Sequence, residues 1–125
     1  MELGLHNAWI TGAIPPETLR SFYERADVFV TASDHEGFCV PLLEAMSFDV
    51  PIVARATSAV PETLGGAGLL VDATDGPLVI AEAWAHVLTD RGERDRLIAR
   101  GAERLHDFDP DDARRQILEH LATVL

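Results

Sequence analysis

Apolar and polar positions divide the chain into short apolar runs that alternate with longer stretches at helical spacing. Residues 7–12 form an apolar run that stops at Gly12 and predict a first strand. Pro15-Pro16-Glu17 then opens a helix, with proline and an acid in its first turn. Leu19, Phe22, Tyr23 and Ala26 recur at helical spacing and mark its expected buried face. The run from Asp27 to Ala32 reads as a buried strand, and a helical pattern begins near Val40, with Leu43 and Met46 in step and Leu42 and Ala45 beside them. Pro51–Ala54 gives a third strand. Pro61–Leu64 reads as one short helical turn, Gly65-Gly66-Ala67-Gly68 as a turn cluster, and Leu69-Leu70-Val71 as the last strand.

Beyond the last strand the pattern is helical throughout. Asp75-Gly76-Pro77 opens a helix expected to carry Leu78, Ile80, Ala81, Trp84, Val87 and Leu88 on its inner side. A further helix is expected from about Glu93 to Leu105, mostly solvated and laced with Arg–Glu and Arg–Asp pairs. Asp109-Pro110-Asp111-Asp112 is a helix start, a cap followed by proline and acids. The final helix runs from Ala113 to about Val124 and sets Ile117, Leu118, Leu121 and Leu125 on one face. Strands alternating with helices predict a parallel α/β sheet joined by right-handed crossovers. The fold class read here is a Rossmann-like sheet of about four strands with flanking helices, in a single domain over residues 1–125.

Composition narrows the function. A chain of 125 residues holds one core. The formal net charge of −11 argues against nucleic acid or an anionic membrane surface as partner. No run reaches transmembrane length, and the single Cys39 excludes an internal disulfide, which fits a reducing, cytoplasmic setting. The five histidines, His35 among them, show no metal-ligand spacing and read mostly as surface residues.

The candidate chemistry lies between Ser33 and Pro51, where Glu36 and Glu44 stand with seven residues between them. This loop follows the carboxyl end of a strand and leads into a helix N-terminus, the place where parallel sheets bind anions. Gly37 lets a ligand approach the backbone with no Cβ in the way. The first amides of the helix, near Cys39 to Leu42, lack intrahelical partners and can cradle a phosphate. Pro41 suits the first turn. A carboxylate pairs well with two neighbouring hydroxyls, as the acidic residue of dinucleotide sites does with ribose. On spacing alone, Glu36 reads equally as a solvated loop residue and Glu44 as a surface helix residue.

The wording of the stretch goes further. Ser33, Glu36-Gly37-Phe38, Pro41, Glu44-Ala45-Met46 and Pro51-Ile52-Val53-Ala54 resemble the E-x7-E segment of the carboxyl-terminal domain in retaining GT-B glycosyltransferases of the group-one family. That segment reads roughly S-x-x-E-G-F-G-x-P-x-x-E-A-M-A-x-G-x-P-V-V-A. The resemblance begins at Trp9-Ile10-Thr11-Gly12, passes through Leu19, Tyr23 and Ala26-Asp27-Val28, and reaches Pro61-Glu62 and Gly68-Leu69-Leu70-Val71. One departure stands out: Asp49 occupies a position where the family often has glycine, and aspartate tolerates a φ > 0 there better than most residues do.

The resemblance implies transfer of a sugar from a nucleotide-diphosphate donor to an acceptor hydroxyl, with retention and without a metal or other cofactor. Glu36, with the amides of Gly37, Phe38 and Cys39, would hold the donor sugar. The amides near Val40 would meet the diphosphate, Glu44 the ribose, and the turn from Gly12 to Ile14 the nucleobase. It also implies that a full carboxyl-terminal domain has about six strands in the order 3-2-1-4-5-6, so that two central strands and the amino-terminal domain have no counterpart here. The family's basic residues for the diphosphate belong to that missing part, and Arg55 is the only arginine near the motif. A chain of this extent is expected to be inactive alone, to need the missing amino-terminal portion or a partner chain, and to self-associate through an unpaired sheet edge. Alternatives are a non-catalytic remnant or split subunit that binds a nucleotide sugar, and a glycoside hydrolase using Glu36 and Glu44 as its carboxylate pair.

Overall fold

A computed structural model describes residues 4–109 and 111. Three short strands form a parallel sheet in the order β1-β2-β3: β1 (Phe29–Thr31), β2 (Ile52–Arg55) and β3 (Leu69–Val71). Phe29 is in register with Ile52 and Thr31 with Ala54, while Val53 faces Leu69 and Arg55 faces Val71. The helices are α1 (Pro16–Arg25), α2 (Val40–Ser47), α3 (Val60–Leu64), α4 (Pro77–Thr89) and α5 (Arg91–Leu105), followed by a 3-10 turn at His106–Phe108. The fold is the α/β, Rossmann-like arrangement expected from the alternation of runs, and it corresponds to part of a GT-B carboxyl-terminal domain.

The central strand shows why the sheet needs helices on both faces. Successive side chains of a strand point to opposite sides. Ile52 and Ala54 therefore enter one core with Leu42, Ala45, Met46, Val60 and Leu64 of α2 and α3. Val53 enters the other, with Val71, Val87 of α4 and Leu97 of α5. Both faces being covered, β2 reads as a continuous apolar run rather than an alternating one. Prolines open α1, α2, α3 and α4 in the first or second position, where a missing N–H costs nothing. Asp90 caps α5 by accepting from the Glu93 amide at 2.9 Å. Gly101 lets α5 lie close against α2, since a Cβ there would stand 3.3 Å from Cγ of Met46.

Three sequence expectations need correction, and two share one cause. Residues 7–12 form no strand; Trp9 is 81% exposed and Ile10 fully exposed. Leu19 and Phe22 of α1 are exposed rather than buried, leaving only Tyr23 inside and Ala26 half-buried. Thr11, Leu19 and Phe22 line one hollow with Phe29 of β1, whose outer edge has no neighbouring strand among the described residues. An extended segment becomes a strand only when a neighbour takes its amides and carbonyls, and an apolar face is buried only when something covers it. The sheet accordingly has three strands where four were expected. The third correction falls on α4: Val87 is buried and Ile80 half-buried, but Leu78, Ala81, Trp84 and Leu88 are exposed. The apolar stripe of α4 is wider than the surface it packs against. Of the expected final helix, Asp109 accepts the Asp111 amide at 2.9 Å, as its cap motif requires; residues 113–124 lie outside the described residues.

Candidate functional site

The site residues cluster at the carboxyl ends of the strands, where the loops after β1, β2 and β3 are tied to one another. Ser33 supports this junction from the β1 loop: its carbonyl accepts the Thr57 hydroxyl at 2.7 Å and its own hydroxyl donates to the His35 carbonyl at 3.1 Å. Arg55, the one arginine near the motif, ends β2 and turns its guanidinium to the Ala73 carbonyl of the β3 loop, with Nε at 3.0 Å, and to Asp34 of the β1 loop. Its donors are spent on holding loops together. His35 Nδ1 lies 3.0 Å from Oγ of Ser58, so this loop histidine makes a second β1–β2 link.

The Glu36–Val40 loop is shaped by a left-handed residue. Cys39 has φ 62° and ψ 63° immediately before α2, and its side chain is buried. This turn directs the chain into the helix while Gly37 faces open space, where an added Cβ would meet nothing within 4 Å. No side chain among the described residues caps α2, which leaves its leading amides to the solvent side. Burial, then the neighbouring Glu36 carboxylate, pushes the Cys39 thiol above its ordinary range, so it stays protonated and unreactive. Phe38 is half-exposed; its ring meets Phe108 edge-to-face at 5.5 Å, and its carbonyl accepts the Thr63 hydroxyl at 2.8 Å. The side chain of Val40 is also exposed.

Glu44 sits in the second half of α2 and faces α1. Its Oε2 accepts the Tyr23 hydroxyl at 2.9 Å. It lines a cleft of about 150 Å³ with Pro16, Leu19, Arg20, Tyr23 and Phe48. Glu36 is not in that lining: it stands beside Cys39 at the loop. The two carboxylates thus occupy separate positions on either side of the start of α2. Gly12 adopts φ 63° in an exposed turn, and Ile14 lines a separate apolar hollow of about 280 Å³ with Leu19, Phe22 and Phe29 at the β1 edge.

Three partners of the site were not singled out from sequence. Tyr23 was read as a core residue, although a buried tyrosine hydroxyl always needs a bonding partner and so hinted at one. Thr63 and Arg104 carried no local signal. Arg104 donates to two carbonyls more than forty positions away, Thr63 at 3.1 Å and Glu62 at 2.8 Å, while pairing locally with Asp107 and stacking 4.7 Å over Phe108. It braces from behind the same loop that Thr63 holds from within.

Comparison with known proteins matches this geometry to a family. Residues 2–104 match the family described as glycosyl transferases group 1. The chain is similar to the O-antigen chain mannosyltransferase B of Escherichia coli, 37% identical over 102 residues, which cover 74% of the chain and 27% of that protein. It is also similar to a D-inositol 3-phosphate glycosyltransferase of Corynebacterium urealyticum, 31% identical over 107 residues covering 84% of the chain and 25% of the relative. A GDP-mannose-dependent alpha-mannosyltransferase of Mycolicibacterium smegmatis is 30% identical over 89 residues, covering 70% and 24%. The chain spans about a quarter of the length of these relatives. With the E-x7-E loop at the carboxyl ends of a parallel sheet and its second glutamate in an open cleft, the chain belongs to the group 1 glycosyltransferases.

Proposed function

We propose that the chain is the donor-binding part of a retaining glycosyltransferase that moves a sugar from a nucleotide-diphosphate donor to an acceptor hydroxyl. The observation that carries this reading is the position of the E-x7-E segment, whose loop and uncapped helix open at the strand ends of the sheet. Glu36 and the amides of Gly37, Phe38 and Cys39 hold the hydroxyls of the sugar. The leading amides of α2 near Val40 take the diphosphate, and the helix dipole stabilises the charge that grows on it as the glycosidic bond breaks. Glu44 takes the ribose hydroxyls, and the turn from Gly12 to Ile14 borders the base. No group in this set moves a proton; the protein's contribution is positioning and stabilisation of the leaving group, without a metal. The lone Cys39 suits a reducing, cytoplasmic setting. The hydrolase reading is set aside because Glu44 is engaged with Tyr23 and lines a cleft to which Glu36 does not contribute.

A second reading is favoured by a specific observation, the unpaired outer edge of β1 and the exposed Leu19 and Phe22 beside it. There the remaining part of the enzyme, or a partner chain, adds its strands, and without that part the chain transfers no sugar. Calorimetric titration with UDP, GDP and ADP and their sugar conjugates tests both readings. Saturable binding of one base that is weakened in Glu44→Ala supports the donor half-site. A folded chain that binds none of them leaves only the remnant reading standing, and turnover by the chain alone refutes the need for a further part.

A further inference from the structure

Resting on the nucleotide reading of Glu44, we infer that Tyr23 is a positioning residue: its hydroxyl fixes the Glu44 carboxylate for a pair of vicinal hydroxyls on the ligand. The hydrogen bond from the Tyr23 hydroxyl to Oε2 is 2.9 Å long, while the Pro41 carbonyl lies at the limit of bonding, 3.5 Å away. Among the described residues no other side chain bonds this carboxylate. A carboxylate has about four acceptor positions, and a single donor on Oε2 leaves most of them, including both on Oε1, free for a ligand. A glutamate on a helix otherwise samples several rotamers, each of which must be given up on binding.

Tyr23 is itself immobile. It is 8% exposed, its ring stacks on Phe48 at 5.6 Å with the planes 5° apart, and it leans on Phe29 at 6.1 Å. The hydroxyl is therefore delivered by a ring clamped between α2 and β1, which turns a flexible acidic side chain into a preorganised acceptor. Its proton also stays in place, since burial and the adjacent Glu44 carboxylate both push the phenol well above its ordinary value. The device links α1 to α2 across the cleft that Pro16 and Arg20 also line.

A structural role alone, satisfying a buried hydroxyl, makes a different forecast, and ligands without the ribose hydroxyls separate the two. Wild type, Tyr23→Phe and Glu44→Ala are titrated with GDP, UDP and ADP, each against its 2′,3′-dideoxy counterpart. Phenylalanine keeps the stacked ring, so the fold is retained. Tyr23→Phe is expected to lower affinity for the bound ribonucleotide by up to about tenfold, the cost of ordering one freed side chain on binding, and to leave the dideoxy form unaffected. Added to Glu44→Ala, the same change is expected to cost nothing further. Equal weakening of both forms, or no change in either, overturns the inference while leaving the nucleotide reading intact. Absence of nucleotide binding by wild type overturns the nucleotide reading and this inference with it.

Discussion

At the scale of single residues, the chain holds residues with side chains in left-handed backbone, among them Asp49, where the resemblance has glycine. Cys39 sits at φ 62° and Asp49 at φ 55°, both left-handed; Ser58, in the loop after β2, does the same at φ 48°. Left-handed geometry costs an ordinary L-residue roughly 1–2 kcal/mol, and aspartate is among those that bear it best. Asp49 was flagged on these grounds from sequence and does adopt that conformation. Cys39 is the harder case, because its buried thiol contributes packing while its backbone is strained. The two effects are separated by comparing Cys39→Ala with Cys39→Gly. Both lose the thiol, but only glycine relieves the strain, so the glycine variant is expected to be more stable by about 1 kcal/mol, reversing the usual order of alanine over glycine. Chemical denaturation of the two variants checks this. An alanine variant as stable as the glycine variant means that the turn is not strained.

At the scale of elements, the loop before α2 is held by residues far along the chain. The Thr63 hydroxyl bonds the Phe38 carbonyl and Arg104 bonds the Thr63 carbonyl, so α3 and α5 form the support on which the donor loop rests. Thr63→Val keeps the shape of the side chain and removes the donor, leaving the Phe38 carbonyl short of a partner. It is expected to cost about 1 kcal/mol and to speed amide exchange at Leu42, whose N–H bonds the Cys39 carbonyl, whereas Thr63→Ser should restore both. Unchanged exchange in the valine variant would show that the loop is held by the Phe38–Phe108 contact instead. This support explains what could be read in advance and what could not. The continuous apolar run of β2, the proline openings of four helices and the order of the E-x7-E loop are local patterns, written in adjacent residues. The Arg104 brace, the Tyr23–Glu44 bond and the Arg55 junction join positions 18 to 42 residues apart, and no local periodicity records which pairs meet.

At the scale of the whole molecule, the errors of sequence reading come from neighbours that an apolar run or face needs and does not meet. Leu19, Phe22 and residues 7–12 have the composition of buried structure, and periodicity reports composition, not whether a neighbour is present. What they have in common is the free edge of β1, with the hollow of about 280 Å³ between Ile14, Leu19, Phe22 and Phe29 beside it. An open edge offers unpaired amides and carbonyls, and charged side chains are the usual protection against pairing with another chain. Here the flanking residues Leu19 and Phe22 are apolar and exposed. The net charge of −11 opposes association at long range but is screened within about 10 Å at 0.1 M salt, so short-range apolar contact prevails. The purified chain is therefore expected to self-associate, with a sedimentation coefficient that rises with protein concentration and rises further with added salt. Leu19→Glu combined with Phe22→Glu puts two charges on the exposed face of α1, outside the Tyr23 contact, and should return the chain to a monomer without loss of helix content. A wild-type chain that sediments as a monomer at every concentration and salt would mean that residues 7–12 shield the edge well enough without pairing to it.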